Sequence, residues 1–243
     1  MSPRTPLLRP DRYFKSREPD AARGLVVAAL VTIASVALVA GLGVVFTEKI
    51  DGTVMIDNPD RPSEAFCDSD QNSMFTEMSE VSFDCDAPAE IERDIDPIIR
   101  DALGQFYLSM LVGLPIALLG TAVVLHVGTA VCGGRGGFGN SFAVTAWGFA
   151  PILVTMPLGL VALWFMMDPV TITPETAPAV LERTVLGSLR PWLPVATALN
   201  VASTAWGAVV WTFGLERGRD VSRAQAAAVA AVTASVFFLI GLL

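Results

Sequence analysis

Three groups of residues have types and spacings that bear on chemistry. Cys67 and Cys85 stand in an acidic stretch with seventeen residues between them. A disulfide closing that loop would contribute roughly 3 kcal/mol by the chain-entropy argument, and an oxidising compartment would permit it. The alternative is two free or metal-bound thiols; Cys132, much further along, is expected to stay reduced. The run Asp68-Ser69-Asp70-Gln71-Asn72 opens like a calcium loop, in which alternate oxygens converge on one ion. The match then fails, because Ser73 occupies the glycine position and Ser79 the position of the bidentate acid. A solvated acidic face is therefore expected, and no metal is assigned. Gly134-x-Gly136-x-x-Gly139 spells the dinucleotide fingerprint, but that motif needs a strand before it, and here an apolar helical run precedes it. Its glycines read instead as backbone freedom that lets two helix ends approach, with Arg135 facing lipid phosphates or a protein partner. His126 is the only histidine, which rules out a multi-histidine zinc site and an HExxH helix. No nucleophile and base set is recognisable, so no catalytic residue, enzyme activity or cofactor is assigned.

The elements that must hold these residues are membrane spans. Hydrophobic residues make up 53% of the 243 and charged residues 16%, where a soluble domain carries about a quarter. The net charge of -8 is uneven: residues 47–101 hold sixteen acids against Lys49, Arg61, Arg93 and Arg100, a local balance of -12. The remainder is net positive, yet no basic nucleic-acid patch is present. Uncharged runs long enough to cross a hydrocarbon core of roughly 30 Å predict spans over 25–46, 103–125, 142–167, 193–214 and 224–243. The predicted fold class is an all-α membrane protein, a five-span transmembrane helix bundle with one acidic extracytoplasmic loop domain over 47–101. A basic leader, 1–24, precedes the membrane domain, 25–243. Within the leader, a short helix starting at Pro10 is expected to rest Tyr13 and Phe14 on lipid headgroups; a disordered leader is the alternative. Ala87 to Asp101 reads as a helix started by Pro88 and running into the second span, with Ile91, Ile95, Ile98 and Ile99 at helical spacing. A short interfacial helix is expected over Pro178 to Leu189, and Ser222 is expected to cap the last span. Kinks are expected at Pro115, Pro151 and Pro157.

Orientation follows from arginine. Placing the N-terminus in the cytoplasm puts the leader cations, Arg135, Arg217, Arg219 and Arg223 inside, as the positive-inside rule prefers, and leaves the C-terminus extracytoplasmic. No acid or base lies at mid-depth in a span, which argues against a proton-coupled pump. Gln105 and Asn200 are explained by hydrogen bonding between helices. Ala226, Ala230 and Ala234 form a small-residue stripe for close packing within the chain or in a homo-oligomer.

These residues also resemble a family. The leader Leu8-x-Pro10-x-x-Tyr13-Phe14, the glycine turn after the second span, the aromatic helix ending in Ala150-Pro151 and the five-span layout together resemble the Yip1-like integral membrane proteins in their prokaryotic form. The resemblance implies a five-helix bundle with a cytoplasmic N-terminus. Eukaryotic members act in vesicle traffic with Rab-type GTPases, but Ala146-Trp147-Gly148-Phe149-Ala150-Pro151 stands here where those members carry a Gly-Tyr motif. The expected role is membrane-organising or partner-recruiting, in a cell membrane, through Arg9, Tyr13, Phe14 and Gly133, Gly134, Arg135, Gly136, Gly137 and Phe138. The expected partners are the lipid bilayer and a membrane or cytoplasmic protein, with no nucleic acid. The rival reading is a small-solute permease whose path runs near Gln105 and Asn200.

Overall fold

The structure is a computed structural model that describes residues 4–62 and 85–240. Cys67, the acidic run from Asp68 to Asn72 and its failed ligand positions lie outside the described residues. The elements in order are α1 (Pro10–Ser16), α2 (Ala21–Lys49), β1 (Ile50–Asp57), β2 (Glu90–Asp94), α3 (Ile95–Leu108), a π-helical turn (Ser109–Gly113), α4 (Leu114–Val131), α5 (Phe138–Phe149), α6 (Ile152–Met166), β3 (Val170–Ile172), α7 (Pro178–Leu189), α8 (Leu193–Gly218) and α9 (Arg223–Ile240). Among the described residues, four helical stretches are long and apolar enough to cross a membrane: Ala21–Lys49, Ile95–Val131, Phe138–Met166 and Leu193–Gly218. At the fifth expected position stands α9, a shorter apolar helix that packs on α8 and α4.

The bundle is arranged about α5, which touches α2, α4 and α8. Its sequence explains the position. Ser141, Ala143, Val144, Thr145, Ala146 and Gly148 are small or β-branched and buried, so neighbouring backbones come close, as they do where membrane helices associate without a hydrophobic drive. A Cβ on Gly24 of α2 would lie 2.6 Å from the Cα of Ala143, and one on Gly207 of α8 would lie 2.5 Å from the carbonyl oxygen of Gly148. The Ala226, Ala230 and Ala234 stripe is buried inside the chain in the same manner.

Two expectations need correction. The stretch from Ala87 to Asp101 is not one helix, since Glu90–Asp94 forms β2, paired antiparallel with β1 from Thr53↔Asp94 to Asp57↔Glu90, and the helix starts only at Ile95. The isoleucines at 91 and 95 mislead because Glu90, Glu92 and Asp94 alternate with Ile91 and Arg93, a period of two that suits a strand at a sheet edge. β3 pairs in parallel on the other side of β1, giving the order β2-β1-β3. The second correction is in the leader. The helix begins at Pro10 as expected, but Tyr13 and Phe14 are only 3% exposed and belong to the core with Val144, Trp211 and Leu215 rather than to a headgroup layer. A seven-residue helix of about two turns has too few internal hydrogen bonds to stand alone, and its aromatic face is buried against α8.

Proline shapes the spans in three ways. The π-helical turn immediately precedes Pro115, the usual way of absorbing a missing N–H without ending a helix. Pro151 separates α5 from α6, and Pro157 sits inside α6. Ser222 caps α9 as expected: its Oγ accepts from the Gln225 N–H at 3.3 Å, while its own N–H donates to Gln225 Oε1 at 3.0 Å, a reciprocal capping box.

Candidate functional site

The glycine turn begins as a helix stop. At the end of α4, the Gly133 N–H donates to Ala130 O at 2.9 Å and the Gly134 N–H to Thr129 O at 2.9 Å, with Gly133 at φ 82°. That pair of bonds is the Schellman cap, which requires a left-handed residue at the position Gly133 fills. The fingerprint spelling is thus a cap and a turn, with no strand before it.

Beneath the turn lies a residue that sequence reasoning counted as one more loop cation. Arg219, directly after α8, is 2% exposed. Its Nε donates to Thr129 Oγ1 at 3.0 Å and its Nη1 donates to the Gly136 carbonyl oxygen. In return, the Arg135 N–H donates to Arg219 O at 2.7 Å, and Asn140 Nδ2 donates to Gly218 O at 3.0 Å. No carboxylate pairs with Arg219 among the described residues. The charge is instead met by neutral oxygens where α4 and α8 both end, the negative ends of two helix dipoles. Burial lowers the pKa of the guanidinium from its ordinary value, and arginine starts so high that it stays charged. Gly136, at φ 98°, permits this docking, since a Cβ there would sit 2.6 Å from Gly218 O. The connection back into α9 passes through Asp220 at φ 53°, a left-handed position that Asp tolerates. The sequence carries no signal that singles out Arg219, because Arg217, Asp220 and Arg223 around it are all exposed.

The expected contact residues divide. Gly133, Arg135, Gly136, Gly137 and Phe138 are exposed on the turn, and Gly134 is half-buried. The Arg135 side chain makes no hydrogen bond or ion pair among the described residues, while the Phe138 ring stands edge-on to His126 at 5.5 Å. His126 Nδ1 is 3.1 Å from Ser141 Oγ, which ties the start of α5 to α4. Arg9 is exposed on the leader, close in sequence to Leu7, whose carbonyl accepts from Trp206 Nε1 at 2.7 Å well below the turn, whereas Tyr13 and Phe14 are removed from any surface role by burial. Pro19 and Ala21 approach Gly218 and Gly139 respectively, so the leader, the turn and the α8–α9 link share one end of the bundle. Cys132 is free at that end. Cys85, which precedes the sheet at the other end, is disulfide-bonded.

A second feature lies at the depth of the spans. A partly open cavity of about 720 Å³ sits among α2, α5, α6, α8 and α9, next to the break at Pro151. Its wall is apolar apart from Thr155, Asn200, Ser203 and Thr204 and the indoles of Trp192 and Trp211, and it carries no charged side chain. Asn200, expected to bond between helices, lines it and only accepts from Thr204 Oγ1 at 3.2 Å on its own helix. Gln105 does not line it.

Four apolar helices of spanning length around a small-residue centre define an α-helical membrane protein. Comparison with known families is more specific: the chain matches the Yip1 domain over residues 5–243 and belongs to that family. No curated protein and no solved structure matches it.

Proposed function

We propose that this is a non-enzymatic, membrane-organising protein of a cell membrane that recruits a protein partner through the end of the bundle bearing Arg135 and Phe138. The observation that carries the reading is the exposed Arg135 and Phe138 on a turn held from below by buried Arg219, a presented surface whose backbone cannot relax away. Exposed Arg12, Lys15, Arg23 and Arg217 toward the same end support a cytoplasmic orientation for it, with five membrane crossings. The free Cys132 here and the bonded Cys85 at the sheet end favour the same orientation, with Cys67 as the proposed partner of Cys85. A photo-reactive residue in place of Phe138, activated in native membranes, tests the reading. A discrete protein adduct that disappears with Arg135→Glu is expected; an adduct of doubled mass would identify a second copy as the partner. Movement of ions or metabolites by the purified chain in liposomes would overturn it in favour of the permease, the reading that the cavity near Asn200 otherwise supports.

A further inference from the structure

The cavity is hollow where the rest of the bundle is backbone-tight, and its chemistry restricts what fills it. At about 720 Å³ it falls within the roughly 300–1,000 Å³ range of ligand sites. A charged solute entering it would lose hydration and meet no counter-charge, because none of the lining side chains is ionisable. Most of the polar groups in the wall are already committed. Trp192 Nε1 donates to Gly159 O at 3.0 Å, Trp211 Nε1 to Thr145 O at 3.3 Å, Thr155 Oγ1 to Pro151 O at 3.3 Å and Thr204 Oγ1 to Asn200 Oδ1 at 3.2 Å. The Asn200 amide N–H groups and the Ser203 hydroxyl are left as donors without an acceptor among the described residues. Asn200 lies seven residues into α8, about 10 Å along the helix axis, and is exposed at the cavity, so that in hydrocarbon its unmet donors would cost several kcal/mol.

We propose that the cavity holds one acyl chain of a bilayer glycerolipid, whose ester carbonyl accepts a hydrogen bond from Asn200. The surrounding phase supplies such a molecule at the depth of the spans, and it matches both features of the wall: an apolar body and one acceptor near α8. On the α6 side Gly159 leaves a gap between the side chains of Ile152, Thr155, Met156 and Leu160, since a Cβ there would meet only Leu199 Cδ1 at 3.5 Å. This inference is independent of the partner-recruiting surface, which lies at the end of the bundle.

The test uses the full chain in nanodiscs containing a phosphatidylglycerol with a diazirine on one acyl chain. After irradiation, adducts are expected on cavity-lining Met156 and Leu199 in excess over outward-facing Val201 and Val209 of α8. Ser203→Phe, which fills the space, is expected to abolish the cavity adducts and leave those on Val201. Asn200→Leu, nearly isosteric, is expected to reduce lipid retained through detergent washing about fivefold, the equivalent of one neutral hydrogen bond. Adducts spread evenly around the bundle would overturn the proposal. So would unchanged retention in Asn200→Leu, or a crosslinked second copy seated in the cavity. Should Ser203→Phe fail to fold, the wild-type adduct map and Asn200→Leu still decide.

Discussion

The end of the bundle under the glycine turn and the middle of the bundle beside Pro151 are both built from glycine, to opposite effect. At the end, Gly134, Gly136 and Gly218 bring two turns together until backbone meets backbone, and Arg219 fills what little space is left. A Cβ on any of the three would meet a heavy atom at 2.9 Å or less. In the middle, Gly148 and Gly207 are equally tight, but Gly159 on the cavity wall is not, and a Cβ there would meet only Leu199 Cδ1 at an ordinary 3.5 Å. Glycine alone therefore says nothing about tightness. What differs is the partner across from it: at the end a polar backbone that must be satisfied, in the middle an apolar wall that tolerates a gap.

The comparison breaks most visibly at Arg219. Arg219→Ala removes the donors to Thr129 Oγ1 and Gly136 O and leaves a cavity. Unmet buried acceptors cost about 1–3 kcal/mol each, so a loss of about 3–5 kcal/mol is expected in mixed-micelle unfolding followed by tryptophan fluorescence. Arg219→Lys should recover little, because a point-charge ammonium cannot reach two acceptors as a planar fork does. A cost under 1 kcal/mol for Arg219→Ala would mean that the turns are held by their backbones alone. Gly136→Ala is the next in size: φ 98° and the approach to Gly218 O together predict a loss of about 2 kcal/mol. It should also free the Arg135 N–H from Arg219 O, read as faster amide exchange at Arg135.

Much of this arrangement was legible from sequence, and the part that was not has a physical cause. Helix positions follow from apolar run lengths, so the four long apolar helices, the Pro178–Leu189 helix and the Ser222 cap fall where patterning puts them. The sheet was not legible because β1 and β3 are separated by more than a hundred residues and a three-residue strand such as Val170–Ile172 has no pattern of its own. Burial of Tyr13 and Phe14 depends on where α8 and α5 leave a groove, a tertiary fact that no local window contains. Arg219 was hidden by its neighbours. Arg217 at the end of α8 and Arg223 at the start of α9 flank it and are exposed, and charge counting treats all three alike.

The smallest effect is the one that sharpens the comparison most, because its sign is opposite. Gly159 lies inside α6 with ordinary helical surroundings, so alanine there gains helix propensity of about 0.5–1 kcal/mol without a clash. Its Cβ would enter the cavity and touch Leu199. The Gly159 carbonyl still accepts from Trp192 Nε1, since that bond belongs to the backbone. Gly159→Ala is therefore expected to leave the unfolding midpoint unchanged or slightly raised, while Gly136→Ala, the same chemical change, lowers it. Equal losses at both positions would show that α6 and α8 close on each other as tightly as the two turns do, leaving no room between them for a lipid chain.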